Sequence, residues 1–262
     1  MKLSAAITTI VLATFTLAAP QTEMRQARHN ARSDGKQIGR KTSRPQNRHN
    51  NALEEYSSNW AGAILIGNGY TGVSAEFTVP KPQAPSGASS NTQYCASAWV
   101  GIDGDTCTSA ILQTGVDFCI QNGVVSYDAW YEWYPDYAYD FTGITISAGD
   151  LIKVSVDATS TITGTAILEN LSTGQSEKHT FTSGVQGDLC EYNAEWIVED
   201  FEENNGLVPF ANFSTVTFSN AQATDGGSVV GPSGATLIDI EQNGVVLTQS
   251  SNTNDSVTID YS

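Results

Sequence analysis

The sequence predicts an all-β protein in which two antiparallel sheets pack as a β-sandwich. Two observations lead to this prediction. From residue 59 onward, short runs rich in valine, isoleucine, threonine and aromatic residues are separated by turn residues about every ten positions. No stretch of this region keeps the apolar periodicity of a long amphipathic helix. The part of the chain from 54 to 262 is long enough to form one β-domain with a large core.

The predicted strands follow one another along the chain with turn residues between them. Alternation is clearest where Ile152, Val154 and Val156 are separated by polar residues, the pattern of a strand with one face in the core. The stretch 195–203 comes nearest to a helix, but its apolar residues form no continuous stripe. The main apolar runs lie at 63–67, 73–79, 97–102, 110–118, 125–134, 151–159 and 257–260.

Two turns can be predicted between strands. Asn243-Gly244 separates two apolar runs, and both residue types accept the positive φ of a type I′ hairpin. Ser172-Thr173-Gly174 predicts a second hairpin. A longer connection lies at 81–93, where proline, glycine and serine predict an exposed loop that proteases can reach.

The charge is distributed unevenly along the chain. The whole chain has 12 Lys+Arg against 28 Asp+Glu, a formal net charge of -16. Residues 1–53 hold nine of the cations and two of the anions, a formal +7, whereas residues 54–262 hold three lysines and 26 carboxylates, a formal −23. Because phosphate binding needs clustered lysine and arginine, the body is not expected to bind nucleic acid.

The first 53 residues have the composition of processing signals. Lys2 precedes an apolar run from Leu3 to Ala19 that ends in small residues, which predicts a secretory signal peptide over 1–19. The run is short for a bilayer span of about 20 residues, so no membrane anchor is expected. Residues 20–53 are basic and poor in large apolar side chains, which predicts a propeptide or, alternatively, a tail that stays attached. The domain proper is then 54–262, in a secreted, extracellular protein.

Cysteines and glycosylation motifs agree with secretion. All four cysteines lie in the body, and an even number in a secreted chain favours two disulfides over metal ligation or redox chemistry. Three sequons begin at Asn170, Asn212 and Asn254.

The body lacks the residues that several hydrolase classes require. Serine and cysteine mechanisms need an imidazole base, and the only histidine here, His179, is predicted to be a surface residue. Zinc sites need several histidine or cysteine ligands, so neither a metal nor another cofactor is expected. The D-T/S-G elements of pepsin-like aspartic peptidases are also missing. Carboxyl groups remain, and they act best near their own pKa, which points to an acidic working pH.

Two carbohydrate-related functions stay open on composition alone. Two carboxylates on a β-sandwich would suit a glycoside hydrolase. The aromatic run WYEWY at 130–134 could line the sugar-binding face of a lectin-like module.

Seven segments, taken in order, resemble the glutamic peptidases (eqolisins) of filamentous fungi over nearly all of the body. They are SSNWAGAILIG (57–67), AWVGIDGDTC (98–107), AILQTGVDF (110–118), YDAWYEWYP (127–135), ENLSTGQ (169–175), LCEYNAEWIVEDFE (189–202) and VPFANF (208–213). The resemblance implies a concanavalin A-like, lectin-like jelly roll of two sheets. It also implies peptide hydrolysis at acid pH by a Gln-Glu dyad, without a cofactor and without inhibition by pepstatin.

The resemblance implies roles for individual residues. The dyad glutamine falls on Gln113 of LQTG and the glutamate on Glu195 of NAEW. Glu195 would activate water as a general base and return the proton to the leaving amine, and the Gln113 amide would stabilise the oxyanion. The residues implied to line or support the cleft are Trp99, Asp103, Asp117, Asp128, Trp130, Glu132 and Tyr134.

The last four of these stand at even spacing, which would put them on one face of one strand. Trp99 and Trp130 could equally be core residues, and Asp103 could simply hold a turn. Ile197 stands where relatives have an aromatic residue.

The resemblance further implies disulfides Cys107–Cys190 and Cys95–Cys119. The implied partners are protein and peptide substrates, together with the propeptide as an inhibitor or folding aid. A monomer is expected, either intact or nicked within 81–93.

Overall fold

The computed structural model describes residues 41–43, 48–49, 52–203 and 206–262. The predicted signal peptide 1–19 lies outside the described residues, as does most of the predicted propeptide 20–53. The described residues form strands and connecting segments, and none of them lies in a helix. This part of the chain accordingly contains no helix long and apolar enough to cross a membrane.

The strands run along the whole described chain. In order they are β1 (Lys41–Ser43), β2 (Arg48–His49), β3 (Ala52–Ser57), β4 (Trp60–Ile66), β5 (Tyr70–Thr78), β6 (Tyr94–Ile102), β7 (Ile111–Gln121), β8 (Val124–Tyr134), β9 (Tyr139–Asp140), β10 (Leu151–Ser160), β11 (Thr163–Asn170), β12 (Gln175–Phe181), β13 (Asn193–Glu199), β14 (Glu202–Glu203), β15 (Gly206–Leu207), β16 (Thr215–Asp225), β17 (Ser228–Val230), β18 (Thr236–Gln242), β19 (Val245–Val246), β20 (Thr248–Asn252) and β21 (Val257–Tyr261).

Two large sheets form the sandwich that the sequence predicts. The larger has the order β1-β3-β18-β4-β13-β6-β7-β8-β9, with β2 beside β3 and β19 beside β18. The smaller has the order β12-β11-β10-β5-β16-β21-β20, with β17 beside β16. Strands β3 and β18 run parallel, whereas the pairings around the centre of the large sheet are antiparallel. The fold-class prediction is therefore confirmed.

The main core lies between the two sheets. Val116 and Phe118 of β7 face it from the large sheet, and Val154 and Phe218 face it from the small sheet. A second apolar group, which we call the outer cluster, packs on the opposite face of the large sheet. Its buried members are Trp60, Ile64, Trp99, Ile111, Trp130, Ala138, Ile197 and Ile238, with Tyr134 packed against them. The large sheet is thus buried on both faces over its central strands.

The predicted turns are confirmed, with one correction to the strand that follows. Asn243 and Gly244 have φ values of 53° and 76°, as a type I′ turn requires, and Gly174 (φ 75°) turns the chain between β11 and β12. The apolar run after Asn243-Gly244 is divided at Leu247. Strand β19 stays in the large sheet and β20 joins the small one.

The stretch 195–203, where the sequence comes nearest to a helix, is extended. Residues 195–199 belong to β13, which is buried along its whole length, and 202–203 form β14. Segment 81–93 connects β5 to β6 with mostly exposed residues, in keeping with the predicted loop.

Both disulfides join the cysteines that the resemblance pairs. Cys95 and Cys119 are bonded at directly opposite positions of β6 and β7. Cys107 and Cys190 are bonded between the β6–β7 connection and the segment before β13. The second bond therefore ties the approach to the Gln113 strand to the approach to the Glu195 strand.

Candidate active site

Gln113 and Glu195 lie in one row across three neighbouring strands of the large sheet. Gly101 of β6 is directly opposite Gln113 of β7 on one side and directly opposite Glu195 of β13 on the other. Directly opposite residues point to the same face of a sheet. The two side chains therefore share the face that carries the outer cluster, with backbones two strand spacings, or about 10 Å, apart.

The glycine between them lets neighbouring side chains approach the sheet closely. A Cβ atom at Gly101 would lie 3.3 Å from Cβ of Gln113 and 2.9 Å from Cζ3 of Trp99. Any larger residue would therefore push against the Trp99 ring and the Gln113 side chain. Glycine at 101 allows both to pack over β6 between the strands that carry the amide and the carboxyl.

Gln113 is held by a neighbour on its other side. Its Nε2 donates a hydrogen bond to Oε2 of Glu132 at 3.0 Å, and the two residues are paired across β7 and β8. Both side chains are buried. The row therefore reads Glu132, Gln113, Gly101, Glu195 from β8 to β13.

Glu195 is fully buried among other carboxyl groups. Burial raises its pKa well above the ordinary value, and the carboxylates of Asp105, Asp103 and Glu199 raise it further. The backbone amide of Asp105 acts in the opposite direction. Glu195 is consequently a stronger base when ionised, and holds a proton more readily, than an exposed glutamate.

The remaining predicted residues of β8 lie where their spacing places them. Asp128, Trp130, Glu132 and Tyr134 share one face of β8, as predicted. Asp128 is directly opposite Asp117 of β7, so two buried carboxyl groups are neighbours on the same face as the dyad. The structure therefore brings these residues together beside Gln113.

The two tryptophans are buried members of the outer cluster. Trp99 packs edge-on against Trp60 with ring centroids 5.0 Å apart, and its Nε1 donates to Oε2 of Glu199 at 2.9 Å. Nε1 of Trp130 donates to Oγ of Ser97 at 3.3 Å. Both rings thus form part of the packed wall next to the dyad.

Ile197, where the resemblance implies an aromatic residue in relatives, is also buried in the outer cluster. An aliphatic side chain therefore completes the wall at this point.

Asp103 holds a turn, which is one of the two roles that the sequence allows for this residue. It has a positive φ of 68° at the end of β6, and its buried carboxylate accepts four backbone N–H groups. Oδ2 accepts from Cys190 and Glu191 at 2.7 and 2.9 Å, and Oδ1 from Tyr192 and Asn193 at 2.7 and 3.2 Å. Asp103 thereby fixes the three residues before β13 together with Asn193, the first residue of that strand.

We expect Asp103→Asn to destabilise the fold and to lower activity. An amide has one acceptor oxygen and brings an NH₂ group up to backbone N–H donors. Loss of two hydrogen bonds to a charged acceptor, each worth about 1.5 kcal/mol, should lower the free energy of unfolding by about 3 kcal/mol. Burial raises the pKa of Asp103 above its ordinary value, so urea unfolding at pH 7, where the carboxyl is ionised, measures this change. Asp188→Asn, at an exposed position nearby, is the control, and equal stability of the two variants would contradict the assigned role.

The same turn contains a grouping that could suggest a metal site. Ligand atoms of Asp103, Cys107 and Cys190 lie within 4.8 Å of one another. The two sulfurs are joined in a disulfide, and the carboxylate already accepts four amides. These residues do not fit a metal ion, because thiolate ligands would require the disulfide to be broken.

Two carboxyl groups near the dyad were not predicted. Asp105 and Glu199 both raise the pKa of Glu195. The signals were present in the sequence, since Asp105 belongs to the GIDGDTC block and Glu199 follows Glu195 at an even spacing on one strand. Without the structure, neither could be distinguished from a solvated acidic residue.

Comparison with known proteins identifies a matching family model and a relative that is similar over its full length. The Peptidase A4 family model matches residues 58–261. The chain is 58% identical over 281 aligned residues to Aspergillopepsin-2 of Aspergillus niger, with the whole of both chains covered.

Two solved structures are also similar. One is scytalido-glutamic peptidase with a transition state analog inhibitor, with a TM-score of 0.72, 46% identity and coverage of 78% of this chain and 98% of that chain. The other is aspergilloglutamic peptidase from Aspergillus niger, with a TM-score of 0.64, 69% identity and coverage of 64% and 99%.

Proposed function

This chain belongs to the peptidase A4 family of glutamic endopeptidases, and from that premise we propose that it hydrolyses protein substrates at acid pH with Glu195 and Gln113 as its catalytic pair. The observation that carries the proposal is the row in which Gly101 separates the two side chains across β6. A scissile peptide group would bind next to this row, within reach of both the carboxyl and the amide.

The chemistry follows from the two functional groups. Ionised Glu195 takes a proton from water as the water oxygen attacks the peptide carbonyl carbon, and the carbonyl oxygen becomes an oxyanion. Nε2 of Gln113 donates a hydrogen bond to that oxyanion. Glu195 then gives its proton to the peptide nitrogen, the C–N bond breaks, and an acid and an amine leave. A side-chain amide does not titrate in acid, so it remains a donor where the enzyme works.

Family membership favours a peptidase over the two carbohydrate-related functions. Composition alone is compatible with a lectin-like module or a glycosidase, but the chain belongs to a peptidase family along nearly all of its body. A β-sandwich would suit a lectin-like module, a glycosidase or a peptidase, so the fold does not by itself define the activity.

The proposal is tested by a pH–activity profile on a protein substrate. We expect cleavage of haemoglobin at acid pH, little at neutral pH, and no inhibition by pepstatin, because the D-T/S-G elements of pepsin-like peptidases are missing. Porcine pepsin assayed in parallel shows that the inhibitor is active. Inhibition of both enzymes would contradict the proposed mechanism.

We also propose that residues 1–19 direct secretion, that residues 20–53 are a removable propeptide, and that the mature domain begins near residue 54. The boundary falls inside β3, with which β1 and β2 pair. Removal of residues 20–53 must therefore break the pairing of β1 and β2 with β3.

The opposite charges of the proposed propeptide and the body support an electrostatic contribution to their attachment. The proposed propeptide is basic. Burial raises the pKa of Tyr56 on β3, and the nearby carboxylates of Glu54, Asp239 and Glu241 raise it further, so this part of the body is acidic. Screening by salt weakens such attraction. A peptide of residues 20–53 should bind the separate domain at pH 7 at least about tenfold more weakly in 0.5 M than in 0.05 M NaCl. Binding that does not change with salt would exclude an electrostatic attachment.

Secretion makes glycosylation relevant, and the three sequons differ in structure. Asn170 is buried, and its Nδ2 donates to the Thr145 carbonyl oxygen and to Asp150. A glycan on this nitrogen is incompatible with that site. Asn254 is exposed between β20 and β21, and Asn212 is half-buried. Of the three, Asn254 is the best acceptor in the folded protein.

A further inference from the structure

Gln113 can serve as a donor only if its amide faces in one direction. The nitrogen and oxygen ends of a side-chain amide are similar in size, and the last torsion of glutamine is broad. Turned by 180°, the group would present Oε1 to an oxyanion, and two negative oxygen atoms would then repel each other. Something in the site must therefore distinguish the two ends.

Glu132 has the chemistry to make this distinction. An ionised carboxylate only accepts hydrogen bonds, so the atom that faces it must be Nε2. The bond from Nε2 to Oε2 is 3.0 Å long, between side chains that are 0% and 3% exposed. Because both side chains are buried, little solvent competes for this bond.

The position of Glu132 in the row determines what the rest of the amide does. Glu132 stands on the β8 side of Gln113, whereas Gly101 and Glu195 stand on the β6 side. An amide nitrogen carries two hydrogens. One points toward Glu132 on β8, and the planar geometry of the amide then directs the other away from Glu132.

We propose that Glu132 is a positioning residue that fixes the orientation of the Gln113 amide and so sets its donor toward the substrate. The inference rests on the proposed Gln113–Glu195 pair. Glu132 acts through Gln113 and does not touch the reacting atoms. Its removal should therefore affect turnover much more than substrate binding.

The first test replaces the acceptor by an apolar side chain of similar length. Glu132→Met should lower kcat about 100-fold, near the ~10²–10³-fold loss seen when an oxyanion donor is removed, while KM changes less than about threefold. Circular dichroism and thermal unfolding establish that the variant is folded. Glu169→Met is the matched control, because Glu169 lies on the small sheet, where its side chain forms a surface ion pair with Lys153.

The second test restores an acceptor without a charge. The side-chain oxygen of Glu132→Gln can again accept from Nε2 of Gln113, although its NH₂ can also accommodate the reversed amide. We expect kcat between those of the wild type and Glu132→Met. If Glu132→Gln were no more active than Glu132→Met, the orientation role would be overturned in favour of a requirement for charge.

A double-mutant cycle separates this inference from the proposed function. In a Gln113→Ala background, Glu132→Met should lower kcat/KM no further, because the group it positions is gone. A further loss of tenfold or more would show that Glu132 acts independently of Gln113. If Gln113→Ala itself kept wild-type kcat, the proposed pair would fail. If Gln113→Ala were inactive while Glu132→Met kept wild-type kcat, the positioning role alone would fail.

Discussion

Replacement of Glu195 by glutamine is expected to lower kcat for peptide hydrolysis by at least about 10³-fold without weakening the fold. The variant keeps the shape of the side chain but can neither take a proton from water nor return one to the amine, and general acid–base catalysis contributes about 10²–10⁴-fold. Single-turnover cleavage of haemoglobin at acid pH measures the loss.

The same variant gives a second readout that separates chemistry from structure. Burial and neighbouring carboxylates raise the pKa of Glu195, so its ionisation opposes folding as the pH rises. Glu195→Gln should therefore be as stable as the wild type in acid and more stable near neutral pH. Glu169→Gln is the control. Wild-type activity in folded Glu195→Gln would disprove the proposed mechanism.

Loss of stability toward alkaline pH is the second large effect that we expect, and Asp200 is one of its sources beside Glu195. This buried carboxyl accepts a hydrogen bond from Gln242, yet burial raises its pKa from 3.8 to about 8. Asp239 follows the same pattern, with burial raising its pKa to about 6. Because the folded-state pKa is higher than the unfolded one, the folded state is favoured in acid. That advantage is lost between about pH 4 and 8.

Asp200→Asn removes this ionisation and keeps an oxygen that can accept from Gln242. We expect the wild type to lose several kcal/mol of unfolding free energy between pH 4 and 8, since one pKa unit corresponds to about 1.4 kcal/mol, and the variant to lose clearly less. Urea unfolding at a series of pH values measures both curves. Asp188→Asn, which alters an exposed carboxyl, should follow the wild type. Parallel curves for all three proteins would rule out a contribution from Asp200.

The fold was predictable from sequence wherever local chemistry decides it. The alternation at Ile152, Val154 and Val156 places these residues in the core, and Asn243-Gly244 forms the expected turn. The division of the following run at Leu247 was not predictable, because its two halves pair with different sheets. Pairing partners of that kind depend on the whole fold and leave no mark on local periodicity.

The candidate site was predictable only through the family resemblance. Gln113 and Glu195 are 82 positions apart in sequence, and only the register of β6 between them brings them into one row. Likewise, nothing in the residue type distinguishes Asp200, which is almost fully buried, from a solvated aspartate. Burial of an acidic group is a property of the packed sheet, so composition could indicate an acid-adapted protein but not which carboxyls respond to pH.

The place of β13 in the large sheet has a consequence for the synthesis of the chain. This strand lies between β4 and β6, although it follows β6 by about 90 residues in the sequence. At a translation rate of about 5–20 residues per second, the inner edges of β4 and β6 wait roughly 5–20 s for their shared partner. Through that interval the nascent chain exposes two sheet edges that other chains could pair with. The strand that carries Glu195 therefore completes the centre of the sheet and the row that contains Gln113 in a single event, so a nascent chain that ends before β13 lacks half of the proposed pair.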